Sequence, residues 1–278
     1  LDVQGSRDDL DALVSSRLGD LLGATRTLRD RWFFIRYPMP AHALRIRLHA
    51  RSPRVAHRLR NAVSEWVDDL TRRRLIADSA LVGYIPEFNR YGGEELYRAA
   101  LPVFEATSKL ALEISRVRVA GAREGVADEL LGVSILAHLY AAVGISHSVL
   151  GIAPSTEPEF RQFYRENRQA LMATLQEPAD PFSGMGIEDR DHLTAALSAS
   201  RRAFGDYAAA YRRVHHEEDF LSTAASVLHM TFNRSFPVGN VVEPRALGLW
   251  ALSAEAFARR ERAFIDLELV ASSPAGRA

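Results

Sequence analysis

The sequence predicts an α+β protein, a small antiparallel sheet of split βαβ (ferredoxin-like) type followed by a helical region packed on it. Three observations predict it. Residues 1–93 read as strand, helix, strand, strand, helix, strand, which is the split βαβ order. After Tyr91-Gly92-Gly93 the apolar spacing changes to the helical period and keeps it almost to the end. Between them, Trp32-Phe33-Phe34-Ile35-Arg36-Tyr37 and Leu44-Arg45-Ile46-Arg47-Leu48 are two short apolar strands carrying arginine at alternating positions. The division predicted is a sheet part, 1–93, and a mainly helical part, 94–278, together forming one compact functional domain.

Leu1-Asp2-Val3-Gln4 reads as the end of a strand. Ser6-Arg7-Asp8-Asp9 suits a helix start, because acids in the first turn complement the helix dipole. Leu10, Leu13, Leu18, Leu21 and Leu22 supply its apolar stripe to about Leu28. Strands over 31–37 and 43–50 are separated by Pro38 and Pro40, a hairpin-like connection. Ser52-Pro53 opens a helix to about Leu75, with Val55, Leu59, Val63, Trp66, Val67 and Leu70 as its stripe, and Ala80–Ile85 returns as a strand. Helical stripes then cover 94–117, 124–150, 156–176, 187–216, 218–234 and 246–268. Pro102 should kink the first of these or mark its boundary. Glu177–Gly186 and Phe236–Asn240 are loops by composition, and no internal repeat is evident.

The chain has 278 residues, 47% apolar and 25% charged, with a formal net charge of +0, so no global field recruits nucleic acid. Lys109 is the single lysine among 35 basic residues, which weakens any one arginine as a signal. The absence of cysteine excludes disulfides, thiolate metal sites and a cysteine nucleophile. No apolar run reaches the ~20 residues of a membrane span. No signal peptide is evident, the chain begins with Leu1, and a cytoplasmic protein is the expectation.

Arginine is costly in a half-buried strand unless its guanidinium keeps water or finds an anion. Arg45 and Arg47 share one strand face, because side chains alternate with period two, and both could hold one bound carboxylate. The plainer reading on spacing alone is a solvated face. Arg36, on the neighbouring strand, could join them or pair with a local acid. Tyr84-Ile85-Pro86-Glu87-Phe88-Asn89-Arg90-Tyr91-Gly92-Gly93 leaves a strand, turns and enters a helix. Arg90 would project from that loop toward a ligand, or pair with Glu87. His229, in Ser226-Val227-Leu228-His229-Met230-Thr231-Phe232-Asn233-Arg234, is either a core histidine or a proton-transfer group whose ring Asn233, one turn on, could orient.

His215-His216-Glu217-Glu218-Asp219 reads as a solvated helix end, since adjacent helical residues do not face each other and no metal-binding spacing is present. His138 and His147 read as core residues of one apolar helix. There is no phosphate-binding glycine loop and no nucleophile elbow.

Together, Trp32–Tyr37, Leu44–Leu48, Tyr84–Gly93 and Ser226–Arg234 resemble the C-terminal, glutamate-eliminating domain of the class I lantibiotic dehydratases, a domain type that also occurs as a separate subunit in thiopeptide pathways. The resemblance runs from near Leu1 to about residue 269. It implies a lyase without cofactor or metal, acting on serine or threonine of a precursor peptide already glutamylated by a separate glutamyl-tRNA-dependent partner. It implies no direct contact with nucleic acid and none with a membrane. The family's arginine pair falls on Arg45 and Arg47, its further arginine on Arg90 and its histidine on His229. Arg36, Tyr84 and Asn233 are the expected substrate-binding residues beside them.

The same scaffold is used by thiopeptide pyridine synthases, which join two dehydroalanines in a formal aza-[4+2] cycloaddition and release the leader peptide. Phe104-Glu105-Ala106-Thr107-Ser108 departs from the family's usual segment, which leaves room for that chemistry. A third alternative is a non-catalytic module that binds the precursor peptide.

Overall fold

A computed structural model describes residues 1–38, 42–121, 127–146, 151–152, 157–176, 186–237, 239 and 241–272. His147, Pro40 and most of the 177–186 loop fall outside the described residues. The chain divides into two compact units, Leu1–Val126 with Gly184–Val242, and Ala127–Ser183 with Glu243–Ala278.

The first unit opens with β1 (Asp2–Gln4), α1 (Arg7–Ser16) and α2 (Leu18–Ala24). Ser6 caps α1, its hydroxyl accepting from the Asp9 N–H at 3.1 Å. The single helix expected to reach Leu28 is thus two, with a break at Arg17. β2 (Arg29–Tyr37) and β3 (Ala43–Ala50) pair antiparallel, α3 (Ala56–Arg72) follows, and β4 (Asp78–Ala80) returns to the sheet. The strand order β2-β3-β1-β4, antiparallel throughout, is the predicted split βαβ arrangement.

The face carrying Trp32, Phe34, Leu44 and Ile46 is covered by Leu10, Leu13, Leu18 and Leu21 of α1 and α2 and by Val63 and Leu70 of α3. The strand predicted over Ala80–Ile85 is not formed there. Asp2 pairs with Ala80, the last residue of β4, and Leu1 exchanges its N–H and carbonyl with Ile46 of β3. Leu81, Val82, Tyr84 and Ile85 are consequently exposed.

Three long helices complete this unit: α4 (Glu94–Gly121), α8 (Ile187–Arg212) and α9 (Glu217–Ser235). α4 runs through Pro102 without ending. α4 and α9 close the free edge of β2 with side chains. The Phe34 N–H donates to Ser108 Oγ at 3.2 Å, and the Arg36 N–H to Asn233 Oδ1 at 2.9 Å. Asn233 Nδ2 donates to the Arg36 carbonyl at 2.8 Å and Arg234 Nε to the Phe34 carbonyl at 2.8 Å. An exposed edge would invite another strand, and here the ladder is finished by side chains.

In the second unit, α5 (Asp128–Val143) is buried nearly all round, α6 (Pro158–Glu166) and α7 (Arg168–Gln176) replace the single helix predicted over 156–176, and α10 is Val242–Ser272. Tyr140 stacks on Trp250 with ring centroids 5.2 Å apart, and Arg245 pairs with Glu129 at 3.1 Å. His138 is buried, its Nδ1 3.1 Å from the Ser134 carbonyl. No helix among the described residues is long and apolar enough to cross a membrane.

Candidate active site

Period-two alternation puts Phe33, Ile35 and Tyr37 of β2 on the sheet face away from α1–α3, and the register sets Phe33 opposite Arg47 and Ile35 opposite Arg45. Both guanidinium groups reach Asp2 on β1, Arg45 Nε to Oδ2 at 3.0 Å and Arg47 Nη1 to Oδ1 at 3.3 Å. One carboxylate therefore fixes two cations without neutralising both. Arg45 also lies over the Tyr37 ring at 3.8 Å and Arg47 over the Tyr84 ring at 4.9 Å. Arg47 Nε is buried and has no protein partner among the described residues.

The segment after β4 crosses this face and turns at Glu87 into a short 3₁₀ turn, Phe88–Tyr91. Arg90 pairs with Glu87 at 3.0 Å, the local pairing the spacing allowed, and both still line a cavity. The loop that carries Arg90 is held by its carbonyls. Thr223 Oγ1 donates to the Arg90 carbonyl at 3.4 Å and the Tyr207 hydroxyl to that of Tyr91 at 2.9 Å. His215 Nε2 lies 3.0 Å from the Gly92 carbonyl. Gly92 has φ +84°, and a Cβ there would lie 2.6 Å from Tyr211 Cε2. Only glycine fits. His215 is thus a loop anchor, and no metal-binding cluster exists among the described residues.

A cavity of about 50 Å³ opens between these parts, lined among others by Phe33, Tyr37, Arg47, Tyr84, Arg90 and Arg234. Arg234 was not anticipated from the sequence. It is 2% exposed and its partners are neutral: the carbonyls of Phe34 (2.8 Å) and Met230 (3.1 Å) and the Thr107 hydroxyl (3.2 Å). Burial pushes this guanidinium down to about 10, so it is charged at neutral pH. The rings of Phe104 and Phe33 lie 5.4 and 5.9 Å from its Cζ. Around the cavity, then, four guanidinium groups (Arg45, Arg47, Arg90, Arg234) face two carboxylates (Asp2, Glu87). Such a surplus in a partly desolvated space favours an anion.

A second, larger cavity of about 400 Å³ shares Phe33, Arg47 and Tyr84 with the first and is otherwise lined chiefly by apolar and aromatic side chains. The Tyr84 and Tyr97 hydroxyls are 2.6 Å apart. Burial raises the phenols of Tyr84, Tyr91 and Tyr97, partly offset at Tyr91 by Arg90 and Arg234. These phenols stay protonated near neutral pH and serve as donors, not bases.

The structure therefore brings Arg47, Arg90 and Tyr84 to one cavity, with Arg45 behind them through Tyr37 and Asp2. Three expected site residues stand elsewhere. Arg36 points to the opposite face, buried in an ion pair with Asp11 and donating from Nε to the Arg234 carbonyl at 3.1 Å, so it cannot join the pair on β3. Asn233 spends its amide on the Arg36 backbone rather than on His229. His229 is exposed on α9 and lines neither cavity, although its neighbour Met230 lines the smaller one. The signal for Arg234 was present in Asn233-Arg234, two polar residues ending an apolar helix, but its surroundings were not.

Comparison with known proteins gives these features a family. The profile of the lantibiotic biosynthesis dehydratase C-terminal family matches residues 1–254. The subtilin biosynthesis protein SpaB of Bacillus subtilis is 23% identical over 223 residues, 79% of this chain and 22% of SpaB. The crystal structure of the tRNA-dependent lantibiotic dehydratase MibB from Microbispora sp. 107891 superposes with a TM-score of 0.69 at 24% identity, covering 94% of this chain and 28% of that one. The crystal structure of TsrL superposes with a TM-score of 0.53 at 18% identity, over 92% of this chain and 93% of TsrL. This chain thus spans about a quarter of the length of SpaB and MibB and nearly all of TsrL. On the match of the family profile across most of its length, the chain belongs to the lantibiotic biosynthesis dehydratase C-terminal family.

Proposed function

We propose that this protein eliminates glutamate from glutamylated serine or threonine of a ribosomally made precursor peptide, leaving dehydroalanine or dehydrobutyrine. The observation that carries the reading is the convergence of Arg47, Arg90 and Arg234 on one cavity whose nearby carboxylates are too few to balance them. A glutamyl group delivered from tRNA is esterified through its α-carboxyl, so it brings a free γ-carboxylate, and the ester carbonyl becomes a second carboxylate on leaving. Guanidinium groups placed where that charge develops favour the departing state over the bound ester.

In the step, the Cα–H bond breaks, its electrons form the Cα=Cβ bond, and the Cβ–O bond breaks with its electron pair going to the leaving glutamate. The α-proton is weakly acidic, so a positioned base is needed. We assign it, as the family resemblance implies, to His229, the exposed histidine of α9 whose sequence neighbour Met230 lines the smaller cavity. Arg45 acts electrostatically through Asp2 and Tyr37. Glutamylation belongs to a separate glutamyl-tRNA-dependent partner, and synthesis of the peptide on ribosomes places the reaction in the cytoplasm.

Incubation with a glutamylated precursor peptide, followed by mass spectrometry, is expected to show loss of glutamic acid and a dehydrated residue. His229→Ala should abolish that loss while peptide binding, measured by fluorescence anisotropy, is retained. If only a polydehydrated, thiazole-bearing peptide reacts, with leader release and a pyridine chromophore, the cycloaddition reading replaces this one. Binding without any chemistry in the unaltered protein would leave a peptide-binding module.

A further inference from the structure

The larger cavity is not used by the elimination step. Its volume is about 400 Å³; Phe33, Leu48, Tyr84, Phe88, Tyr97 and Leu101 give it an apolar wall, with Arg31, Arg47, Glu94 and Arg98 also among its lining residues. A concave apolar space of this kind takes an aliphatic or aromatic group. It is joined to the arginine-lined cavity at Phe33, Arg47 and Tyr84, so whatever fills it is held close to the reacting residue.

Two further observations say how. The main chain of Val82–Pro86 makes no hydrogen bond among the described residues, while Tyr84 and Pro86 line the larger cavity and Ile85 between them is 88% exposed. That run offers free amide and carbonyl groups to a peptide lying along it in an extended form. In an extended peptide, the neighbour of the reacting residue points away from the protein, and the next residue but one returns to the same side about 6.6 Å along. The two cavities share the Phe33 and Tyr84 rings as a common wall, so side chains that enter both come from the same side of the peptide.

We infer that the larger cavity is a specificity subsite for an apolar side chain two residues from the glutamylated serine or threonine of the same peptide. The inference rests on the elimination reading for the identity of the peptide. It makes the choice of which residues are processed a property of this domain, set by the pattern of apolar residues with period two.

The test is a series of short peptides with one central glutamylated serine and glycine elsewhere, into which phenylalanine is placed at each position from −2 to +2. Affinity is measured by anisotropy and glutamate release by mass spectrometry. Phenylalanine at one of the two outer positions should lower both Kd and KM about tenfold, with little effect at the adjacent positions. Leu101→Trp, which fills the cavity, should erase that gain. Leu101→Ala, which enlarges it, should shift the gain toward tryptophan and covers the case of a misfolded tryptophan variant. A gain confined to an adjacent position, or one indifferent to both Leu101 variants, overturns the subsite. If no peptide releases glutamate, the proposed function fails, and the affinity pattern still decides the subsite.

Discussion

Replacing Arg234 by methionine should remove elimination while leaving the fold nearly as stable, because the contributions to stability oppose one another. Methionine occupies the aliphatic stem's space and makes no hydrogen bond. Lost are two bonds that cross between elements, from Nε to the Phe34 carbonyl at 2.8 Å and from Nη1 to Thr107 Oγ1 at 3.2 Å. Each contributes about 1–3 kcal/mol when the donor is charged. Gained is relief from a buried cation with no carboxylate beside it. Its lowering from the ordinary arginine value to about 10 corresponds to about 3 kcal/mol against the charged form. At neutral pH that penalty applies in full, and it is relieved only as pH rises above about 10. The net change in unfolding free energy should then stay within about 3 kcal/mol. Glutamate release should fall at least ~100-fold, as for loss of one preorganised charge-stabilising donor. Urea unfolding followed by near-ultraviolet circular dichroism measures the first, mass spectrometry the second. A variant that releases glutamate within about threefold of the unaltered protein would refute the catalytic assignment and leave Arg234 as a clamp on β2.

Asn233→Ala should destabilise by about 2 kcal/mol, through its two bonds to the Arg36 backbone, and speed hydrogen exchange of the β2 amides. Arg36→Ala should cost about 3–5 kcal/mol by leaving Asp11 partly buried without its partner, with glutamate release per folded molecule unchanged, as judged by unfolding and activity together. Gly92→Ala should lower Tm and weaken release, since it strains a φ of +84° and pushes the Arg90 loop off Tyr211. Tyr84, Tyr91 and Tyr97 have phenols raised by burial, so their contribution is intact below pH ~10 and lost as pH rises above it. Stability in urea should fall steadily as pH rises above about 10, with the tyrosinate absorbance of these three rings appearing on unfolding.

What could be read from the chain was whatever depends on neighbours in sequence. Alternation along β3 placed Arg45 and Arg47 on one face, and the same rule applied to β2 separates Arg36 from Phe33, Ile35 and Tyr37. The paired glycines announced a loop of unusual backbone, and the order of periods announced the split βαβ sheet. What the tertiary structure alone decided depends on residues far apart in the chain. Strand β4 is only Asp78–Ala80, paired with Asp2–Gln4 of β1, and the apolar run after it leaves the sheet. Arg234 becomes a site residue because α9 lies along the open edge of β2, with the Phe34 carbonyl and Thr107 holding two of its nitrogens beside the cavity. His215 and Asn233, whose residue types suggested chemistry, turn out to hold backbone. A local pattern specifies which way a side chain points, because backbone geometry repeats. Whether it meets an anion, a carbonyl or water is set by the partner that packs against it, and that partner is chosen only when the chain folds.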